Sequence, residues 1–531
     1  MAWLHTWSGL VVGWVLFFVF AMGSAGYFED EITRWMKPEL PLETPPSAFE
    51  QDALIDRALS RLTTVAPEAT AWRVILPHHS RSPRGWADFG IQWRTPPENG
   101  EGRGARHSET LDPSTGQPVE PVSARETGGG SQLYRMHYAL HYINTAIAYR
   151  IVGVCAMLML VALITGVITH RKIFKDFFTF RPGKGQRSWL DAHNLISVMA
   201  LPFFLMITYS GLAFFATTYL PAGIAVTYGT SEQAREAYFD DLLERGEGSA
   251  GPVARPEAPV APMVAQAASD WGEGQVRAVR VRNPAQAGLT VGVERVRGSR
   301  LRFHNDVVRR FDGQTGERLP PAPGLNATAA TTRTLFALHE GLFAGSMLRW
   351  LYFGSGLLGC GMIGTGLVLW TVKRRRQHAT QGRGLQLVEA LNVATIAGLP
   401  VAVAAYFWAN RLLPVGMEAR AAWEVHCLFL VWGEILIYAC FRDTRRAWVD
   451  VLGLAAVAFI LVPVINALTT NRHLGVTLPA GDWGLAGLDL TVLGLGSLFG
   501  VLAVKVRRRW LGVAAPIHGS GQAATGLGEA A

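Results

Sequence analysis

The feature that most constrains this chain is a series of apolar stretches, each close to the roughly 20 residues that a helix needs to cross a bilayer. Long polar regions interrupt the first four stretches, and short loops join the last four. The series predicts a mainly α, polytopic helical membrane protein. The eight candidate spans are residues 7–27, 150–170, 194–217, 349–371, 391–412, 422–441, 447–468 and 484–504.

Composition supports a membrane location and excludes two other classes. Only 17% of the residues are charged, against about a quarter in soluble domains. The net charge of +8 comes from basic residues that cluster beside the apolar stretches, so we expect no nucleic-acid partner. The four cysteines lie in or beside apolar segments, which argues against a disulfide-stapled exported domain.

Lys and Arg residues cluster after the second, fourth, sixth and eighth stretches. Cytoplasmic loops carry an excess of these residues, and all four clusters share one side if the N-terminus is cytoplasmic. The sequence therefore predicts a multi-pass protein of the bacterial inner membrane, in contact with lipid and with both termini in the cytoplasm. The two long polar regions, residues 28–135 and 218–335, are then periplasmic.

The two polar regions have a similar order of predicted elements. Each contains a helical stretch, around residues 46–64 and 260–271, followed by β-like runs and a D-x-x-T-G turn that begins at Asp112 or Asp312. Asp favours the start of a turn, and Gly adopts the positive φ that a turn requires. We interpret the regions as an internal repeat of two small α+β domains.

These observations divide the chain into seven parts. They are a first span in 1–27, a periplasmic domain in 28–135, the second and third spans in 136–217, a second periplasmic domain in 218–335, the fourth span in 336–376, four C-terminal spans in 377–511 and a disordered cytoplasmic tail in 512–531.

Histidines lie at the ends of the predicted spans. His5, His170 and His193 lie on the predicted cytoplasmic side, and His137, His141 and His339 lie on the outer side. An ionisable residue at membrane depth is costly and is a candidate functional residue, and imidazole is a good axial ligand for haem iron. The alternatives are interfacial anchoring by His5 and His193, and a basic cap for His170.

We favour bis-histidine haem over zinc or copper because the candidates lie on different helices, with no nearby cysteine and no shared carboxylate cluster. If the second helix is continuous, His141 and His170 share a face within about 20°. Their 29-residue separation would then span about 43 Å, more than the roughly 30 Å hydrocarbon core. A break in the helix would remove both inferences.

Several motifs resemble those of PepSY-associated transmembrane proteins. They are the segments at residues 5–13 (HTWSGLVVG), 165–172 (TGVITHRK), 177–182 (FFTFRP), 188–194 (SWLDAHN), 201–204 (LPFF), 338–341 (LHEG) and 365–370 (TGLVLW), with the two D-x-x-T-G turns. The resemblance covers roughly residues 1–376 and implies a link to iron uptake, because some members are haem-containing inner-membrane reductases of ferric siderophores.

The resulting hypothesis is a haem-dependent ferric siderophore reductase with two haem b groups. Two of His5, His170 and His193 would hold the cytoplasmic-side haem, and His339 with His141 (or His137) would hold the outer one. The electron donor would be a quinol or a cytoplasmic reductase, and the electron acceptor a ferric siderophore or chelate.

Two other functions remain open at this stage. A non-enzymatic PepSY protein could bind or regulate a periplasmic partner. A metal or siderophore transporter could use the four C-terminal helices, in which Glu424 and Glu434 are the exceptional intramembrane charges.

Overall fold

The structure is a computed structural model. It describes residues 2–42, 50–79, 86–97, 104–120, 122–169, 180–181, 183–219, 221–231, 233–234, 238, 251–284, 288–296, 308–320, 327–377 and 382–510. His170 and the tail predicted for residues 512–531 lie outside this described part of the chain.

The secondary structure alternates between long helices and two strand-containing regions. The first half contains α1 (Ala2–Gly26), α2 (Glu29–Trp35), α3 (Gln51–Val65), β1 (Ala71–Ile75), β2 (His78–His79), β3 (Trp86–Ala87), β4 (Gly90–Arg94), β5 (Arg106–Thr110), α4 (Gly129–Ala139), α5 (Thr145–Thr169), α6 (Gln186–Met199), α7 (Leu201–Phe214), α8 (Ala216–Tyr219) and α9 (Pro221–Thr227). The second half contains α10 (Val260–Trp271), β6 (Val276–Arg282), β7 (Thr290–Arg295), β8 (Val308–Asp312), α11 (Ala327–Glu340), α12 (Ser346–Gln377), α13 (Arg383–Val393), a π-helical turn (Ala394–Gly398), α14 (Leu399–Leu412), α15 (Arg420–Phe441), α16 (Thr444–Thr469), α17 (Leu474–Thr477) and α18 (Trp483–Trp510).

Seven helical segments in the described chain are long and apolar enough to cross a membrane, and a bent pair makes an eighth candidate. The predicted polytopic helical class is therefore confirmed. The predicted third span is not straight, because α6 and α7 meet at a 68° bend. Pro202 lies in the first turn of α7, and a proline can neither donate the hydrogen bond that would continue α6 nor fit against the preceding turn.

One six-stranded antiparallel sheet joins the two polar regions. Its strand order is β5-β4-β1-β6-β7-β8, so each region contributes three strands and the central pair is β1 with β6. Helices α3 and α10 pack on one face, where a single apolar core includes Trp72, Val281 and Phe311. The segments predicted as two separate domains thus form two halves of one unit, named here the sheet domain.

The two halves end in matching turns. Asp112 Oδ1 accepts hydrogen bonds from the Ser114 and Thr115 backbone N–H groups at 2.8 and 2.9 Å. Asp312 Oδ1 accepts from the Gln314 and Thr315 N–H groups at the same two distances. Gly116 and Gly316 follow with φ values of 71° and 78°, the region where side chains are disfavoured. Identical turns and a symmetric strand order support the internal repeat.

Candidate histidine sites

Two histidines from short helices form the pair that lies toward the sheet domain. His137 on α4 and His339 on α11 have ring centroids 5.9 Å apart. His137 Nδ1 lies 2.7 Å from the Val19 carbonyl oxygen of α1. His339 Nδ1 lies 3.0 Å from the Ile207 carbonyl oxygen of α7 and 3.1 Å from Ser210 Oγ. We call these two residues the sheet-side pair.

A second pair forms at the opposite end of α1. His5 on α1 and His193 on α6 have ring centroids 6.3 Å apart. His5 Nδ1 lies 2.9 Å from the Ala162 carbonyl oxygen of α5, and His193 Nδ1 lies 2.9 Å from the Met362 carbonyl oxygen of α12. We call His5 and His193 the far-side pair.

All four histidines use the same packing device. Each Nδ1 meets the carbonyl of a residue in a neighbouring helix, and a glycine follows that residue by four positions. The four carbonyl–glycine combinations are Val19 with Gly23, Ile207 with Gly211, Ala162 with Gly166, and Met362 with Gly366. The carbonyl residue and the glycine lie about one helical turn apart. Because the glycine has no side chain, the histidine ring has room to approach the carbonyl.

The glycines are needed at these contacts for steric reasons. A Cβ at Gly23 would lie 2.5 Å from His137 Nδ1, and one at Gly211 would lie 2.8 Å from His339 Cε1. At Gly166 and Gly366 the corresponding distance to His5 and His193 is 3.3 Å. The fit is therefore tighter around the sheet-side pair than around the far-side pair.

The carbonyl contacts determine which ring nitrogen could bind a metal. A carbonyl oxygen only accepts, so each Nδ1 carries the proton and donates it, which leaves the lone pair at Nε2. Hydrogen bonds of this kind orient metal-ligating histidines. Each pair, with ring centroids 5.9 or 6.3 Å apart, would offer two imidazoles to hold one iron.

The sheet-side pair lines a cavity of about 380 Å³ between the helices. Its wall also includes Phe20, Gly23, Gly211 and Glu340. Burial lowers the pKa of His137, and burial with repulsion from His137 lowers the pKa of His339 to about 3. Both imidazoles are therefore neutral at physiological pH, the form that ligates a metal.

The ligand set fits haem better than a metal held by protein alone. Within the described residues, no group of three or more His, Cys, Asp or Glu side chains could hold a metal ion together. A zinc site needs at least three protein ligands, whereas haem iron takes only its axial ligands from the protein. Two imidazoles per site thus suit an iron whose remaining ligands come from a porphyrin.

The two pairs are separated by most of the length of α1. His5 precedes Val19 and Gly23 by 14 and 18 residues, which corresponds to about 21–27 Å along the helix. That length lies within the roughly 30 Å hydrocarbon core. The sites therefore lie toward opposite ends of the same helix bundle.

The structure pairs His339 with His137 and places His141 elsewhere. Helix α4 ends before His141, and Leu140 and Tyr142 have positive φ values of 54° and 59°. The His141 ring stacks on Phe429 of α15, with centroids 5.5 Å apart. The helix is therefore broken between His141 and α5, so the shared-face argument, which was conditional on an unbroken helix, does not apply.

Sequence analysis named Glu424 as an intramembrane charge but missed the buried ion pairs at the C-terminal helices. Arg34 of α2 forms a fully buried ion pair with Asp482, which immediately precedes α18. Arg420 and Glu424 of α15 pair at 2.6 Å, and Thr127 donates to the other Glu424 oxygen at 2.5 Å. Glu434 is exposed, so it forms no buried site with Glu424. Arg34 and Asp482 lie 448 residues apart, so that pair leaves no local sequence signal.

Comparison with known proteins identifies the family. The profile of the PepSY-associated TM region matches residues 2–373. Uncharacterized protein PA4219 of Pseudomonas aeruginosa is 26% identical over 393 residues, which cover 69% of this chain and 92% of that protein. The matched region contains both histidine pairs, and α13 to α18 follow it. The chain therefore belongs to the PepSY-associated transmembrane family.

Proposed function

We propose that this protein transfers electrons across the membrane through two haem b groups and reduces a ferric chelate on the side of the sheet domain. The observation that carries the proposal is the repeated histidine geometry. Two imidazole pairs have nearly equal ring separations, and every Nδ1 is fixed by a helix carbonyl. A purely structural role would not need the same Nδ1–carbonyl contact to be repeated at four histidines.

The chain's own residues would hold and orient the cofactor. His5 and His193 would ligate one haem, and His137 and His339 the other. When bound, each haem supplies a one-electron Fe(III)/Fe(II) couple. Carbonyls of α1, α5, α7 and α12 fix the ring orientations, and the apolar wall of the cavity limits the access of water to the sheet-side pair.

The reaction requires an electron donor and an acceptor. A quinol or a cytoplasmic reductase would give up one electron at the far-side pair, and a ferric siderophore or other ferric chelate would take it up beyond the sheet-side pair. The product Fe(II) binds hard oxygen ligands more weakly than Fe(III), so reduction releases the metal. In this arrangement the sheet domain is periplasmic, as the basic loops predict.

The first experiment is a reduced-minus-oxidised visible spectrum of the purified protein, produced with ample haem, with a measured haem-to-protein ratio. We expect low-spin bands and about two haems per chain, each with two histidine ligands. His339→Ala and His193→Ala should each lose one haem and abolish reduction of a ferric chelate by the far-side donor. His107→Ala in β5 is the matched control. It should retain both haems and the reduction of the ferric chelate.

A protein that cannot be loaded with haem, or a His339→Ala variant with full haem content and activity, would overturn the proposal. In that case, binding of a periplasmic partner and transport of a metal or siderophore become the leading functions. Uptake into vesicles without reductant would distinguish transport from partner binding.

A further inference from the structure

One face of the sheet domain carries a row of arginines across its central strands. The strand register places Arg73 of β1 opposite Arg280 of β6, Arg280 opposite Gly292 of β7, and Gly292 opposite Arg310 of β8. Directly opposed residues point to the same side of a sheet. The adjacent row, which includes Trp72, packs into the apolar core beneath α3 and α10. The arginine row therefore lies on the face away from both helices.

This face has more positive than negative charge. Arg73 Nη2 lies 2.7 Å from Glu294 Oε2, and Arg280 pairs with the other oxygen of the same carboxylate. Arg310 donates instead to the neutral Pro320 carbonyl at 2.9 Å. The row itself thus has three guanidinium groups, and two of them share the Glu294 carboxylate beside it. Arg106 lies at the edge of the same face, opposite Arg94.

The pKa shifts of Arg280 and Glu294 agree with an excess of positive charge on this face. Burial lowers the pKa of Arg280, and repulsion from Arg73 and Arg106 lowers it further, whereas Glu294 opposes the shift. Although its burial acts in the opposite direction, the pKa of Glu294 is held below its ordinary value by Arg280 and Arg73. An additional anion on this face would relieve repulsion among the guanidinium groups.

Gly292 lies between Arg280 and Arg310 in this row and is itself buried. A Cβ at this position would lie 3.0 Å from Cγ1 of Val308. The backbone of Gly292 does not have the positive φ that would require glycine. A glycine inside a strand weakens the sheet and often marks a place where a ligand approaches the backbone. In addition, Nε of Arg73 and Nε of Arg310 are buried without an acceptor among the described residues.

We propose that this arginine row is the recognition face for the chelate and that it selects an anionic, oxygen-rich chelate such as a polycarboxylate. Planar guanidinium groups bind carboxylates through two parallel hydrogen bonds. The side chains of Arg73 and Arg280 are 18% and 21% exposed, so such a carboxylate would meet them from the solvent side of this face. This inference rests on the proposed function, because it names the class of substrate that the reductase would receive.

The test is the binding of gallium(III) citrate, a redox-inert analogue of a ferric polycarboxylate, to the full chain in detergent by titration calorimetry. Arg310→Gln should weaken binding at least about tenfold, because it removes a charged hydrogen-bonding group. Gly292→Asp should abolish binding, because it places a carboxylate between the two arginines. Higher salt should weaken binding to the wild-type chain.

Arg309→Gln is the matched control. It removes the same charge from the neighbouring residue of β8, but Arg309 pairs with Asp270 of α10 at 2.8 Å on the helix-covered side. It should bind gallium citrate as the wild-type chain does. A melting curve of each variant separates loss of binding from loss of folding.

The proposal is overturned if the wild-type chain does not bind gallium citrate, or if Arg310→Gln and Gly292→Asp bind it as tightly as Arg309→Gln. Salt-sensitive binding to vesicles containing phosphatidylglycerol, without binding of gallium citrate, would assign the face to lipid headgroups and also overturn it. The measurement requires neither haem nor reduction. A colourless protein that binds gallium citrate would therefore retain this inference while refuting the reductase function.

Discussion

The histidine pairs of the family region, residues 2–373, and the charges buried at the C-terminal helices α13 to α18 satisfy their polar groups in different ways. In the family region, the paired histidines each donate through Nδ1 to a helix carbonyl, and one pair lines a cavity. In and around the C-terminal helices, opposite charges contact each other directly, as in Arg34–Asp482 and Arg420–Glu424.

This difference distinguishes a candidate cofactor site from contacts that attach the C-terminal helices to the rest of the protein. In a neutral imidazole whose Nδ1 donates, as in the sheet-side pair, Nε2 carries the lone pair that can bind a ligand. A guanidinium–carboxylate pair largely satisfies its own hydrogen bonds, and removal of one partner leaves an uncompensated buried charge. Trp35 adds to the attachment, because its Nε1 donates to Asp489 Oδ1 of α18 at 2.9 Å. We therefore expect substitutions in the two regions to have different consequences.

The largest expected effect is on folding, at the Arg420–Glu424 pair. Arg420→Ala leaves the buried Glu424 carboxylate without its cation and should cost about 3–5 kcal/mol of stability. Thermal unfolding in detergent measures this loss. The double variant Arg420→Met with Glu424→Gln removes both charges and should recover much of it. An Arg420→Ala variant as stable as the wild type would show that the pair does not hold the helices in place.

A smaller, local effect is expected at the glycines that contact the histidines. Gly23→Ala should displace the His137 ring and lose the sheet-side haem, because its Cβ would lie 2.5 Å from Nδ1. Gly366→Ala should retain both haems, because the corresponding distance to His193 is 3.3 Å and a neighbour can adjust. The haem-to-protein ratio and the low-spin bands measure both outcomes.

Helix propensity cannot account for a loss in Gly23→Ala, because alanine stabilises a helix by about 1 kcal/mol relative to glycine. Equal haem content in the Gly23→Ala and Gly366→Ala variants would contradict the difference in fit between the two pairs.

The smallest effect is expected at His141, which contacts the C-terminal region. His141→Gln should leave the haem content unchanged, because this ring stacks on Phe429 and its Nδ1 lies 3.3 Å from Gln132 Nε2. His137→Gln, four residues earlier, should lose the sheet-side haem. Visible spectra compare the haem content of the two variants. Loss of haem in His141→Gln would restore His141 as the partner of His339.

The sequence alone determined the membrane architecture and the candidate histidines. Spans of about 20 apolar residues are a local property, because the bilayer sets the length of each helix independently of its neighbours. The repeated turns at Asp112 and Asp312 were also readable, since a turn depends on a few adjacent residues. Strand β5, with the polar sequence Arg106–Thr110, carried no apolar alternation and was not predicted.

Only the tertiary structure decided how these parts combine. It joined two predicted domains into one sheet through β1 and β6, and it bent the predicted third span at Pro202. It also paired His137, rather than His141, with His339. Helical periodicity cannot decide between two histidines four residues apart, because both lie on nearly the same face of an unbroken helix. The choice came from positive φ at Leu140 and Tyr142, and from a Gly23 in another helix that leaves space for one ring.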